Sequence, residues 1–308
     1  MAEPISLRLP ATSANLGPGF DALGLAMDFA LHIQARESDS FTIQATGRNT
    51  GQCGDVADSL VLNTYTSVLT GQGIDPPALH LDLHNEIALG MGCGSSAAAL
   101  VAGVALASHF GGLHWTPEQI LTEAALREGH PDNVAACVMG GLTVSAMDTS
   151  VEGSPVIDAI TLHPPVAWPL LLVMPPSSLS TSKARALLPN TYSKADAIKN
   201  VQCVGLLTAA FAKGRGDLLQ RAMHDRMHQP YRAEACPLLN RLVPLAGRDG
   251  VLGVALSGAG PSVLLVLDAA GEPTDVRARV EEQLRAGGAH LQAELLLTRI
   301  GRSASISR

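Results

Sequence analysis

Glycine stands at every second position of Gly90-Met91-Gly92-Cys93-Gly94, and Ser95-Ser96-Ala97-Ala98-Ala99 follow directly. The glycines predict a loop, and the alanine-rich stretch after them predicts a helix that begins where the loop ends. Backbone N–H groups and the positive end of the helix dipole then converge on one point, an arrangement suited to an anion. Taken alone, the stretch reads equally well as a tight turn with Ser95 capping the helix. It is not a Walker loop, which needs Lys-Ser/Thr after its last glycine to reach the terminal phosphates. Here Ser95-Ser96 follow Gly94, and the first lysine of the chain is Lys183. The glycine spacing also departs from Gly-x-Gly-x-x-Gly.

The rest of the chain bounds what such a loop can serve. Its 308 residues suffice for one large or two ordinary domains. Only 3% are aromatic, so the core must be built from Ala, Val and Leu. No apolar run reaches the ~18 residues of a membrane span, and no signal-peptide pattern opens the chain. The net charge of −7 comes without a block of like charge, so no basic face for nucleic acid is expected. The five cysteines, Cys53, Cys93, Cys137, Cys203 and Cys236, have no zinc spacing and fit reduced thiols in the cytoplasm.

Periodicity places the elements. Apolar–polar alternation predicts a strand over 5–9 that Pro10 ends, then a loop over 11–21. Strands are predicted over 23–35, 41–45, 79–84, 142–147, 168–174 and 290–300, with a hairpin-like pair at 251–256 and 263–267. Helices are predicted over 59–70, from the glycine loop to 109, and from Thr116 to just before Gly129. That last one starts with Thr at the N-cap, Pro at N1 and Gln at N3. A short helix opens at His130-Pro131-Asp132-Asn133, and others cover 181–188, 195–212, 238–245 and 274–286. Strands and helices mix without strict alternation, so the class is α+β in two parts that meet near 150–170.

Four further stretches carry polar chemistry. Ser13, Asn15 and Asp21 surround a Gly-Pro-Gly turn. Asp21 either caps the segment after it or offers one negative charge to an ammonium group. Glu128-Gly129-His130-Pro131-Asp132-Asn133 packs two carboxylates, an imidazole and an amide into six residues. Asp132 reads as a cap and His130 as a surface residue, or the group forms a polar site with Glu128 as an oxygen ligand for Mg²⁺. Thr181 and Arg185 lie one turn apart at a helix start, on a solvated basic face or a shared functional one. Arg232, in Gln229-Pro230-Tyr231-Arg232, carries no signal by itself. The small residues Ser257-Gly258-Ala259-Gly260-Pro261-Ser262 let the backbone approach a ligand or another loop.

Together, and in this order, the motifs resemble those of the GHMP small-molecule kinases, most closely the homoserine kinases, from Leu9 to about Leu267. The resemblance rests on the stretch Pro10 to Asp21, the glycine–serine loop, His130-Pro131-Asp132-Asn133-Val134, Ser180 to Arg185, and Ser257 to Ser262. It implies a two-domain α+β fold, with a nucleotide-binding domain over 1–165 and a ferredoxin-like domain over 166–308. It implies phosphorylation of the L-homoserine side-chain hydroxyl by ATP, as a step of threonine biosynthesis, with Mg²⁺. Ala88, Leu89, Gly90, Met91, Gly92, Cys93, Gly94, Ser95, Ser96, Ala97 and Ala98 would form the ATP phosphate loop. Ser96 and Glu128 would hold Mg²⁺. Asn15 and Asp21 would receive the substrate ammonium, and Arg185 with Arg232 its carboxylate. His130 would lie beside the substrate side chain, Asn133 near the reacting hydroxyl, and Thr181 would align the site. Ser257 to Ser262 would support the phosphate loop. The pattern departs at Ala88, where the family usually has Pro, and at Cys93, where it usually has Leu. Cys93 adds a thiol open to oxidation. The charge logic agrees, since a zwitterion needs an acid at one end and guanidinium groups at the other. Another small alcohol as substrate, or a non-catalytic sensor on the same fold, stays open, as does a homodimer.

Overall fold

The computed structural model describes residues 2–149, 155–286 and 291–307. The strands are β1 Ile5–Asn15, β2 Gly19–Glu37, β3 Thr42–Gly47, β4 Leu79–Asn85, β5 Leu142–Asp148, β6 Val156–Leu162, β7 Pro169–Met174, β8 Val251–Leu256, β9 Val263–Leu267, β10 Glu294–Arg299 and β11 Ser305–Ser307. His290, expected to begin the last long strand, and 150–154 of the expected junction lie outside the described residues.

Seven strands make the first sheet, in the order β11-β1-β2-β4-β3, with β5 joining β2 and carrying β6. The second sheet has the order β10-β7-β9-β8, every pair antiparallel. Helical segments fill the chain between β7 and β8, and the helix Pro273–Ala286 lies between β9 and β10. This β-α-β-β-α-β succession is ferredoxin-like. The chain then returns, and β11 pairs with Ser6, Leu7 and Arg8 of β1.

Pro10 does not end the first strand. β1 runs on to Asn15 and β2 begins at Gly19, so most of the expected 11–21 loop is strand. Proline is tolerated because the β1–β2 register shifts between Pro10 and Ala11, and β11 covers β1 only as far as Arg8. The missing N–H therefore falls where the ladder is already interrupted.

The helix Ser95–Phe110 is buried on nearly all sides. It packs between the helix Leu60–Gly71 and the helix Pro117–Glu128. This explains its small residues: a Cβ at Gly103 would lie 2.6 Å from the Val61 carbonyl oxygen. The helix Pro117–Glu128 starts with the expected capping box between Thr116 and Gln119. The core is dominated by Leu, Val and Ala, as the aromatic content required. Among the described residues no helix is long and apolar enough to cross a membrane.

Candidate active site

The site forms where β1, the glycine loop and the β8–β9 turn meet. Gly90, Gly92 and Gly94 all take positive φ, at 68°, 74° and 69°. A Cβ at Gly92 would lie 2.1 Å from the Ser257 carbonyl oxygen, and one at Gly94 would lie 1.8 Å from Thr12 Oγ1. The glycines thus answer to packing as well as to backbone angle. Thr12 N–H donates to the Cys93 carbonyl at 3.0 Å and Gly258 N–H to the Ala14 carbonyl at 3.1 Å. Ser257 Oγ donates to the Gly92 carbonyl at 2.7 Å and lies 2.9 Å from Ser13 Oγ. The stretch 257–262 therefore braces the loop directly.

Gly94 caps the helix Ser95–Phe110 in the left-handed region and supplies no side chain to its first turn. The first N–H groups of that helix are left for another acceptor. In the same turn Ser96 Oγ donates to Glu128 Oε1 at 2.6 Å. Two oxygen-bearing side chains thus meet beside the N–H groups, a donor set suited to a hard cation.

Asn15, Asp21, Glu128, His130, Asn133, Thr181, Arg185 and Arg232 line one cleft with Gly90, Gly92, Cys93, Gly94, Ser95 and Ser96. The cavity measures about 110 Å³. Ala88, Leu89 and Met91 face a neighbouring hollow instead, and the Ala97 and Ala98 side chains are buried in the core. A larger cavity of about 490 Å³ adjoins Ser95 and Ser96. Leu31, Val61, Leu83, Ile87 and Leu89 give it apolar walls, and Asp55, Asp58 and Asn85 give it polar ones. Beyond Leu89, Ser95 and Ser96 no motif marks this cavity, because the rest of its lining is drawn from separate stretches that mix apolar residues with exposed ones such as Asp55 and Asp58.

At the other end of the cleft Asp21 and Arg185 pair in a two-pronged bond of 2.6 and 3.0 Å. That hydrogen bond holds the Arg185 guanidinium still more firmly in its charged form. Arg185 and Arg232 both lie over the Phe20 ring, at 5.3 and 5.6 Å from its centre. Arg232 is 1% exposed. Its pKa is lowered by burial and by the nearby charge of Arg185. Asn15 is a tie within the wall: its Oδ1 accepts from Asp21 N–H at 3.0 Å and its Nδ2 donates to the Gly258 carbonyl at 2.9 Å. Asn15 and Asp21 hold φ of 69° and 55°, uncommon for residues with a side chain.

His130 Nδ1 lies 2.6 Å from Asp132 Oδ1, which also accepts from Asn133 N–H at 2.7 Å. Burial works against the charged imidazole of His130. The Asp132 hydrogen bond and the charges of Asp132, Asp21 and Glu128 outweigh it and raise the pKa. Thr12 Oγ1 donates to Asn133 Oδ1 at 2.8 Å, which turns the Asn133 amide nitrogen away from that contact. Thr12 and Phe20 are contributors the sequence did not single out, and Asp132, read there as a cap or as part of a polar group, serves as the partner of His130. Thr12 and Phe20 sit inside a recognised motif, but their partners lie far along the chain. Among the described residues, ligand atoms of Asp21, His130 and Asp132 lie within 4.8 Å of one another. Each already holds a partner, so they form no free cage. Cys93 is not the exposed thiol its position suggested: it is 1% exposed, and burial pushes its pKa up to about 12.

The GHMP kinases N terminal domain matches residues 59–141, and the GHMP kinases C terminal domain matches 207–289. The homoserine kinase of Solibacter usitatus is 47% identical over 85% of this chain and 84% of its own. That of Deinococcus radiodurans is 39% identical over 88% and 86%. The crystal structure of homoserine kinase from Cytophaga hutchinsonii superposes with a TM-score of 0.79, at 25% identity, covering 100% of this chain and 98% of that one.

Proposed function

The chain belongs to the homoserine kinases of the GHMP kinase family, and on that premise we propose that it transfers the γ-phosphoryl group of ATP to the side-chain hydroxyl of L-homoserine. One observation carries the reading: a single cleft joins a glycine cradle at a helix N-terminus to the Asp21 carboxylate and the Arg185 and Arg232 guanidinium groups. The phosphates take the cradle N–H groups, and the base and ribose take the larger cavity beside Ser95. Ser96 and Glu128 would hold Mg²⁺, which would supply charge neutralisation for the phosphoryl group being transferred. The substrate ammonium goes to Asp21 and its carboxylate to Arg185 and Arg232. A zwitterion thereby exchanges the Asp21–Arg185 pair for two new ones, whereas a lone carboxylate would leave Asp21 without a partner.

Asn133 presents its amide nitrogen to the reacting hydroxyl, with Thr12 fixing the other side of the amide. The hydroxyl oxygen bonds to the γ-phosphorus as the bond to the bridging oxygen breaks. Three carboxylates in or beside the cleft are engaged: Asp21 by Arg185, Asp132 by His130 and Glu128 by Ser96. We therefore assign the hydroxyl proton to a phosphoryl oxygen, late in the transfer. Positioning and charge neutralisation do the catalytic work.

The test is ADP release measured with homoserine, mevalonate, shikimate and galactose. Turnover with homoserine far above the others is expected. Preference for another alcohol would overturn the substrate. ATP binding without turnover on any of them would make the chain a sensor.

A further inference from the structure

The two arginines of the cleft share one aromatic ring but differ in how they are held. Arg185 is neutralised by Asp21. Arg232 is buried, and its hydrogen bonds run to neutral acceptors: Nε to the Ala184 carbonyl at 3.2 Å and Nη1 to His228 Nδ1 at 3.0 Å. Asp21 and Asp225 act on it only through space. A buried guanidinium left this way keeps its capacity for an incoming anion.

His228 is fully buried and packs against Phe20, with ring centres 5.5 Å apart. Its two nitrogens face opposite demands. Nε2 lies 2.8 Å from the Gly17 carbonyl, which can only accept. Nδ1 faces the Arg232 guanidinium, which can only donate. The neighbours thus fix one tautomer, neutral with its hydrogen on Nε2. Burial favours the same neutral state by lowering the His228 pKa. The nearby Asp225 carboxylate is occupied by the N–H groups of Met227, His228 and Gln229, at 2.7, 2.9 and 2.6 Å. That turn sets the backbone from which the imidazole projects. Gly17 lies between β1 and β2, whose facing ends carry Asn15 and Asp21.

We propose that His228 is a positioning residue for the substrate carboxylate: anchored on the Gly17 carbonyl, it aims the Arg232 guanidinium into the amino-acid end of the cleft. It ties the arginine to the turn that carries the ammonium receptor, and so fixes the distance between the two charge receptors. This inference rests on the homoserine kinase reading of the site. It differs from a histidine that only fills the core, because its loss should fall on substrates with a carboxylate and spare those without.

The experiment compares homoserine with 3-aminopropan-1-ol, the same molecule without its carboxylate, as substrate or as competitive inhibitor. In His228→Leu the homoserine KM is expected to rise roughly tenfold or more, the cost of losing a hydrogen bond to a charged group. The KM for ATP and the affinity for aminopropanol should stay near those of the wild type. His228→Gln offers an oxygen to Arg232 and an N–H to Gly17, and should restore most of the preference for homoserine. Equal losses for both ligands in His228→Leu, or an unchanged homoserine KM, overturn the proposal. If the leucine variant does not fold, His228→Asn, polar but too short to make both bonds, replaces it with the same expectation. A collapsed preference in folded His228→Gln would also overturn it. A wild-type enzyme with no preference for homoserine over aminopropanol would instead overturn the functional reading.

Discussion

The end of the cleft proposed for the phosphates is built from backbone and small side chains, and the end proposed for the amino acid from charged side chains carried by distant elements. At the first end, 88–94, the close of β1 and the 257–262 turn are laced by main-chain bonds and by the Ser257 hydroxyl. At Gly92 and Gly94 the space is so tight that a methyl group has nowhere to go. At the second end Asp21, Arg185 and Arg232 meet around one phenylalanine, held by charge and by hydrogen bonds to neighbouring side chains. The two ends should therefore fail differently. Damage to the cradle should spread through the fold, whereas damage to the charged end should stay with one ligand.

The strongest attempt to break this contrast is Gly92→Ala. Its Cβ would meet a backbone carbonyl at 2.1 Å, which no rotamer change relieves, at a φ of +74°. A loss of about 2–4 kcal/mol of stability is expected, together with nearly all turnover. Urea unfolding beside kcat measures both. A variant with wild-type stability and only weakened ATP binding would make the loop a ligand feature and not a joint of the fold. Glu128→Gln probes the border between the two ends. A fall in kcat of roughly 100-fold is expected, with an altered Mg²⁺ requirement and little change in unfolding. Wild-type activity and Mg²⁺ dependence would remove Glu128 from the metal site.

The same contrast governs what could be read from the sequence. The cradle is local, so the glycine spacing and the helix start are visible in consecutive residues. So is the Thr116 capping box. Pro10 misled because proline is a strand breaker only where its N–H is needed. β6 gave no signal, since Val156–Leu162 is mostly half-exposed and, among the described residues, pairs with β5 alone. β11 is three residues long and pairs with β1 from the opposite end of the chain. The charged end was legible as a set of motifs through resemblance, but not as a set of bonds. Thr12 and Asn133 are 121 residues apart, and Asp21 and Arg185 are 164 apart. Which residue serves another depends on the fold, and no local pattern encodes it. His228 was invisible for that reason.

Arg185→Ala sharpens the contrast from the charged side. It removes one guanidinium proposed to receive the substrate carboxylate and strips Asp21 of its partner. The homoserine KM should rise roughly 10- to 100-fold, the range for one or two charge-assisted bonds. The KM for ATP should hold, because no bond of Arg185 reaches the cradle. Parallel loss of ATP affinity would mean the two ends are one cooperative unit. An unchanged homoserine KM would end the carboxylate assignment of Arg185.

The smallest effect separates the two histidines at the charged end by pH. His130 is held above its ordinary pKa in the folded state. Its contribution to stability is complete below the unfolded value of about 6.5 and is lost as pH rises through the folded value. His228 is held below its ordinary pKa by burial. Its contribution is present above about 6.5 and is lost as pH falls toward the folded value. The two therefore bend the stability profile in opposite directions around the same pH. Urea midpoints measured from pH 5 to 8 should show this. His130→Gln should remove the decline on the alkaline side and leave the acid decline in place. His228→Gln should do the reverse. If both variants flatten the same side, the two imidazoles share one titration, and the charged end is a coupled network and not a set of separately held receptors.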